Sequence, residues 1–297
     1  DEDPATGKIV RTDRFELDVD GKSTVVAAAA GKKRPAFILV NDDDLTYTKL
    51  RFDADSLSFA LANLQHFDDA LARAVVWLSL WDMTRDGDLA AEKFIDTTLA
   101  LLATETESTT FRYALSCMST TAWHYTAPDR RADVVKHVAK ELWKLVIAAP
   151  GGSDQQFQLV TAYLGYGEEG DAEFAEHAQG LFDGSLIVVG LEIDNNFTWT
   201  IINALSSVKL IDQAGIDAQL AKRDTTENRE LAPRRAPTWP SRTPPSTTTW
   251  STGCGRTRAS TWPRRCLRAC TRTTPTRPRW SNSVIGGSPT MRMPTTP

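Results

Sequence analysis

Four histidines, His66, His124, His137 and His177, are the first candidates for metal chemistry. A hydrolytic zinc centre on a helix needs His-Glu-x-x-His, because positions i and i+4 share one face. Here the histidines stand 13 or more residues apart and none opens that pattern. His66 and His177 read as exposed helical positions, and His137 lies beside Lys136 on a polar face. Three consecutive aspartates, Asp42, Asp43 and Asp44, sit in "VNDDDLTYTKLRFD". Adjacent acids on an extended segment alternate faces and do not converge on an ion. A turn closed by the side chains of Asn41, Asp42 and Asp43 is expected instead. "DMTRDGDLAAEK", from Asp82, puts Asp86 and Gly87 in register with a calcium loop. Thr84 takes its third position, however, and Lys93 its twelfth, where a bidentate Glu belongs. "PGGSDQQF", Pro150 to Phe157, has glycines before a helix cap but no Lys for a phosphate loop. No Gly-x-Ser-x-Gly occurs, and Ser153 has no His and acid partner legible in the sequence. This reading assigns no catalytic, metal-binding or cofactor-binding residue.

The elements around these residues divide the chain sharply near residue 232. Residues 1–232 carry 22 Lys and Arg against 38 Asp and Glu, a formal −16. Residues 233–297 carry 12 Arg, no Lys and no acid, with 11 of the 15 prolines and 4 of the 9 tryptophans. Proline at that density breaks any helix. This tail reads as out-of-frame translation of a GC-rich gene and is expected to be disordered. The alternative is a basic segment for nucleic acid or an acidic partner. Cys254, Cys266 and Cys270 fall there without paired C-x-x-C spacing. Cys117 is the only thiol of the body, as befits a small buried hydrophobe in a reducing compartment.

Within the body, Phe15, Leu17 and Val19 alternate with acids, and Asp20-Gly21 supplies a turn. "PAFILVN", Pro35 to Asn41, reads as an apolar strand. Two or three strands cannot bury a core alone, so these read as the end of a β-sandwich. From residue 54 the period is helical, with stripes at Leu57, Leu61 and Leu64, at Ala74, Trp77, Leu78 and Trp81, and at Phe94, Thr98 and Leu101. Others follow at Phe111, Leu115, Met118, Ala122 and Tyr125, and at Val135, Val138, Leu142, Leu145 and Ala149. Helix starts are signalled at Asp55/Ser56, Asp129, Ser153 and Asp171. The fold class expected is mainly α, an irregular α-solenoid of about nine helices preceded by strands. Trp77, Trp81, Trp123, Trp143 and Trp199 read as helix-packing core. No apolar run reaches the 18 residues of a membrane span.

Several stretches, in order along the chain, resemble the C-terminal region of the zinc-dependent aminopeptidase N family, in particular its high-GC bacterial members. They are "LVNDDDLTYTKLRFD" (39–53), "LARAVVWLSLWDMTRDGDL" (71–89), "PGGSDQQFQLVTAY" (150–163), "LFDGSLIVVGLEIDNNFTW" (181–199) and "IDAQLAKRDTT" (216–226). The resemblance implies that residues 1–40 are the last strands of a small sandwich and 41–53 a junction. Residues 54–232 would be most of a helical domain that folds over the catalytic cleft, encloses a peptide chamber and limits entry. The family's zinc ligands and catalytic residues match nothing in this chain, which is expected to be inactive alone. The complete enzyme would use zinc, and this chain's partners would be the catalytic domain of the same polypeptide and peptide substrates, in the cytoplasm. Neither membrane nor nucleic acid is expected as a partner. Two departures stand out: "PGGSD" has a second Gly, read as harmless, and Thr198 stands where the family has Arg. The rival expectation is a free-standing helical scaffold for protein partners, with a basic tail.

Overall fold

The structure is a computed structural model that describes residues 1–222, 225–232 and 290–291. Among these, ten α-helices follow one another: α1 Ala54–Asn63, α2 Ala70–Arg85, α3 Ala91–Leu102, α4 Ser108–Thr120 and α5 Arg131–Ala148. The rest are α6 Asp154–Leu164, α7 Ala172–Asp183, α8 Asn195–Ser207, α9 Gln213–Lys222 and α10 Thr226–Leu231. Packing runs between helices one or two places apart in sequence: α1 and α2 on α3, α3 on α4 and α5, α4 and α5 on α6, α6 and α7 on α8, and α8 on α10. Near-neighbour packing of this kind is the signature of a helical-repeat array, as the sequence led us to expect.

Side-chain caps fix where many of these helices begin. Asp53, Asp69, Ser153, Asp171, Asp194 and Thr225 each accept hydrogen bonds from backbone N–H groups in the first turn of the helix that follows, satisfying donors that have no partner within the helix. Ser153 and Asp171 were anticipated. The α1 cap lies two residues earlier than Asp55. Asp129 caps nothing, because Ala127 to Arg130 close a turn with the Arg130 N–H on the Ala127 carbonyl. Pro128 occupies the second position of that turn, where its fixed φ is favoured. The chain at Thr121–Tyr125 continues α4 as a π-helical turn.

The core is built from the predicted stripes. Trp77, Phe94, Phe111, Leu101, Met118, Tyr163, Phe174, Phe197 and Trp199 are fully buried. Trp77 and Trp81 flank Phe94 at ring distances of 5.7 and 5.4 Å, and the Trp77 indole N–H donates to Thr98 Oγ1 at 3.1 Å. Trp123 and Trp143 are half-buried against the same core. Leu78 and Tyr125, assigned to buried stripes by periodicity, remain exposed.

The N-terminal strands expected around Phe15, Leu17 and Val19 and at Pro35 to Asn41 do not form. Among the described residues that region has only isolated bridges, Glu2 to Ile9 and Ile9 to Phe67, and a 3-10 turn at Ala27–Ala29. A strand needs a neighbour to take up its N–H and C=O groups, and none lies alongside. Leu17, Val19 and Val25 stay exposed. Phe37 docks instead against the rings of Phe52, Phe59 and Phe67. Lys49–Leu50 (β1) pairs in parallel with Thr290–Met291 (β2). Apart from those two residues, the tail expectation for 233–297 lies outside the described residues.

Candidate functional site

The acidic stretches that sequence alone left open resolve into ion-pair joints. Asn41, Asp43 and Asp44 all have positive φ, and the Asn41 amide bridges the Thr46 N–H and carbonyl. Of the three side chains expected to close the turn, Asn41 does so, whereas Asp42 and Asp43 turn to arginines. Their carboxylates face Arg11, whose guanidinium lies 3.0 Å from Asp42 and 3.2 Å from Asp43 and also reaches Asp69. Arg14 adds a contact of 2.5 Å to Asp43. The turn between α2 and α3 is bound in the same way. Asp86 pairs with Lys49 at 2.8 Å and with Arg51, while Arg51 Nε reaches Asp88 at 2.7 Å. Hydrogen bonds from Lys49 and Arg51 hold the Asp86 carboxyl below its usual range. Carboxylates already engaged by Lys and Arg offer a cation little, so the calcium-loop reading stays excluded.

The histidines are dispersed. His66 and His124 are exposed, and His137 Nε2 meets Asp96 at 3.1 Å rather than Lys136. His177 is not exposed as the sequence predicted. It stacks on Trp143 with ring centres 4.1 Å apart, and its Nδ1 meets the Tyr163 hydroxyl at 2.9 Å. Among the described residues no three His, Cys, Asp or Glu side chains come together to hold a metal ion. The donor set present does not fit a zinc centre. Cys117 is buried, and burial pushes its thiol up to about 11, which makes it a poor nucleophile. An open groove of about 360 Å³ on α4 is lined, among the described residues, by Thr109, Arg112, Tyr113 and Ser116, none of them a carboxylate or histidine.

Two joints were missed by sequence reasoning. Arg73 grips the carboxylate of Glu105 with Nε and Nη2 at 3.1 and 3.2 Å, and donates through Nη1 to the Phe67 and Asp68 carbonyls. The same carboxylate accepts from the Thr106 and Glu107 N–H groups, and the Gln155 amide donates to the Glu105 carbonyl. The second Gly of "PGGSD" is likewise no idle insertion. Gly152 has φ +74°, and a Cβ on Gly151 would stand 2.8 Å from the Val189 carbonyl oxygen. The buried Gln156 amide ties this loop to Val189 across 3.2 Å. Thr198, where the resemblance would place an Arg, is buried and back-bonds to the Asp194 carbonyl at 2.7 Å.

The sequence model of the ERAP1-like C-terminal domain matches residues 37–235. The chain belongs to that family. Its first matched residue, Phe37, is the one whose ring leads the N-terminal segment into the helical core. Aminopeptidase N of Streptomyces lividans is 34% identical over 220 residues, which cover 74% of this chain and 25% of the relative. The chain spans about a quarter of the length of the curated relative it matches, and is a C-terminal region of an aminopeptidase N family member. Apart from Arg11 and Arg14, the residues of the joints described above lie within the matched span. Among the described residues no helix is long and apolar enough to cross a membrane.

Proposed function

We propose that this chain is the non-catalytic C-terminal portion of a zinc aminopeptidase that removes N-terminal residues from peptides. Its helices cap the active-site chamber and restrict what enters. The observation that carries this reading is the family match, which runs from the first core ring at Phe37 to just beyond the end of α10. In the same reading residues 1–40, which form no strand in this chain by itself, supply the last strands of a small sandwich beside partner strands, with 41–53 a junction and 54–232 the helical domain. The exposed Leu17, Val19 and Val25 support it, being an alternating apolar face that partner strands would cover. Zinc belongs to the catalytic domain of the same polypeptide, which is this chain's first partner; peptides are the substrates. A lone, buried thiol in the described body suits a reducing cytoplasm.

Two measurements test the reading. The purified chain, supplied with zinc, is expected not to hydrolyse an aminoacyl nitroanilide; zinc-dependent turnover would overturn it. In the intact polypeptide, a protease site placed within residues 41–53 allows the helical part to be released after folding. Release should raise hydrolysis of long peptides relative to dipeptides. An equal change for both would remove the access role.

A further inference from the structure

Where α5, α6 and α7 meet, three side chains form a contact that the proposed function leaves unused. Trp143 of α5 lies flat on the His177 ring of α7, with 22° between planes. Tyr163 of α6 presents its hydroxyl to His177 Nδ1, and its ring also packs on Phe174 of α7 at 5.0 Å. The Tyr163 side chain is deeply buried, and burial pushes its phenol pKa up. Among the described residues this buried hydroxyl has no other hydrogen-bond partner, so its proton is placed towards His177 Nδ1. His177 Nδ1 must then be the acceptor, which fixes the ring as neutral with its proton on Nε2.

We propose that the Trp143–Tyr163–His177 contact is an acid-sensitive joint between α7 and the α5–α6 pair, closed while His177 is neutral and loosened when Nδ1 takes up a proton. A protonated Nδ1 can no longer accept, so the buried phenol proton loses its acceptor. The charged groups around the ring pull the other way: Asp171 at the α7 cap and Glu173 and Glu176 on α7 favour the imidazolium. Burial opposes them and prevails, leaving the His177 pKa below its ordinary 6.5. A histidine held neutral in this way stabilises the fold above pH 6.5, and that contribution is lost as pH falls through the lower folded value. The joint thus opens in mildly acidic solution, freeing α7 from the α5–α6 pair.

The test is a titration of the full chain with ¹³C-labelled histidine, with His177→Gln to assign the signal. His177 is expected to titrate below 6.5, and Tyr163→Phe, which removes the donor, to move the midpoint upward. In parallel, proteolysis in the connection 165–171 should accelerate several-fold between pH 7.5 and 5.5 in the parent and stay level in His177→Gln. A His177 midpoint at or above 6.5 overturns the proposal. So does a midpoint indifferent to Tyr163→Phe, or cleavage in His177→Gln that still accelerates with acid.

Discussion

Glu105 is a buried charge made tolerable by its surroundings. Its side chain is 1% exposed and that of Arg73 14%. Burial alone would raise the carboxyl pKa, but the Arg73 guanidinium and the N–H groups of Glu107 and Thr106 outweigh it and hold the carboxyl below its ordinary 4.5. Removing one partner of such a pair strands the other charge, so Arg73→Ala should cost about 3–5 kcal/mol in urea unfolding. The depressed pKa means that the unfolded chain binds the proton first on acidification. The pair's stabilisation is therefore present above pH 4.5 and lost as pH falls through the folded value. Glu105→Gln should flatten the melting temperature in that acid window, besides lowering it at neutral pH. A variant that retains the parent's acid slope would show that another carboxylate dominates. None of this was legible in the sequence: Glu105 sits in "LLATETESTT" with nothing to link it to Arg73, 32 positions away.

At the scale of elements, periodicity carried most of the information. It located the buried stripes, because a 3.6-residue repeat of apolar side chains reports one buried face. Strand patterning misled for a related reason. Alternation at Phe15, Leu17 and Val19 states what the segment could pair with, while pairing itself requires a neighbour the described residues do not supply. Loop-to-loop fits lay outside any local pattern. Gly190 has φ +82°, and a Cβ there would stand 2.3 Å from the Gly152 nitrogen. Gly190→Ala therefore combines backbone strain with a clash against another backbone, and should cost more than about 1 kcal/mol. A neutral result by chemical denaturation would mean that the two loops separate freely. The α8–α10 contact is a second such fit. Asn228 Oδ1 accepts from the Trp199 indole at 2.8 Å and from the Asn195 amide at 2.6 Å. Trp199 is 1% exposed, so Asn228→Ala leaves a buried N–H without its acceptor, at a cost of about 1–3 kcal/mol.

For the whole molecule, three boundaries that arise from different physics fall within a few residues of one another. The acidic composition ends near 232, α10 ends at Leu231, and the family match ends at 235. Charge is a property of composition, the helix end one of backbone geometry, and the match one of ancestry. Their near-coincidence motivates a cut at Ala232, and among the described residues the buried ones run from Ile9 to Ala232. A chain ending at Ala232 should therefore keep its helical circular dichroism and a single cooperative transition. It would forfeit the two-residue β1–β2 ladder, worth roughly 1 kcal/mol per hydrogen bond. It would also lose the 12 arginines that offset part of the −16 body. That second effect is largely screened at physiological salt, where the Debye length is about 8 Å. A domain of this size shifts by about 2–4 °C per kcal/mol, so the melting temperature should fall by no more than about 8 °C. A collapse of cooperativity in the shortened chain would show instead that residues beyond 232 belong to the core, and the composition boundary would then lose its structural meaning.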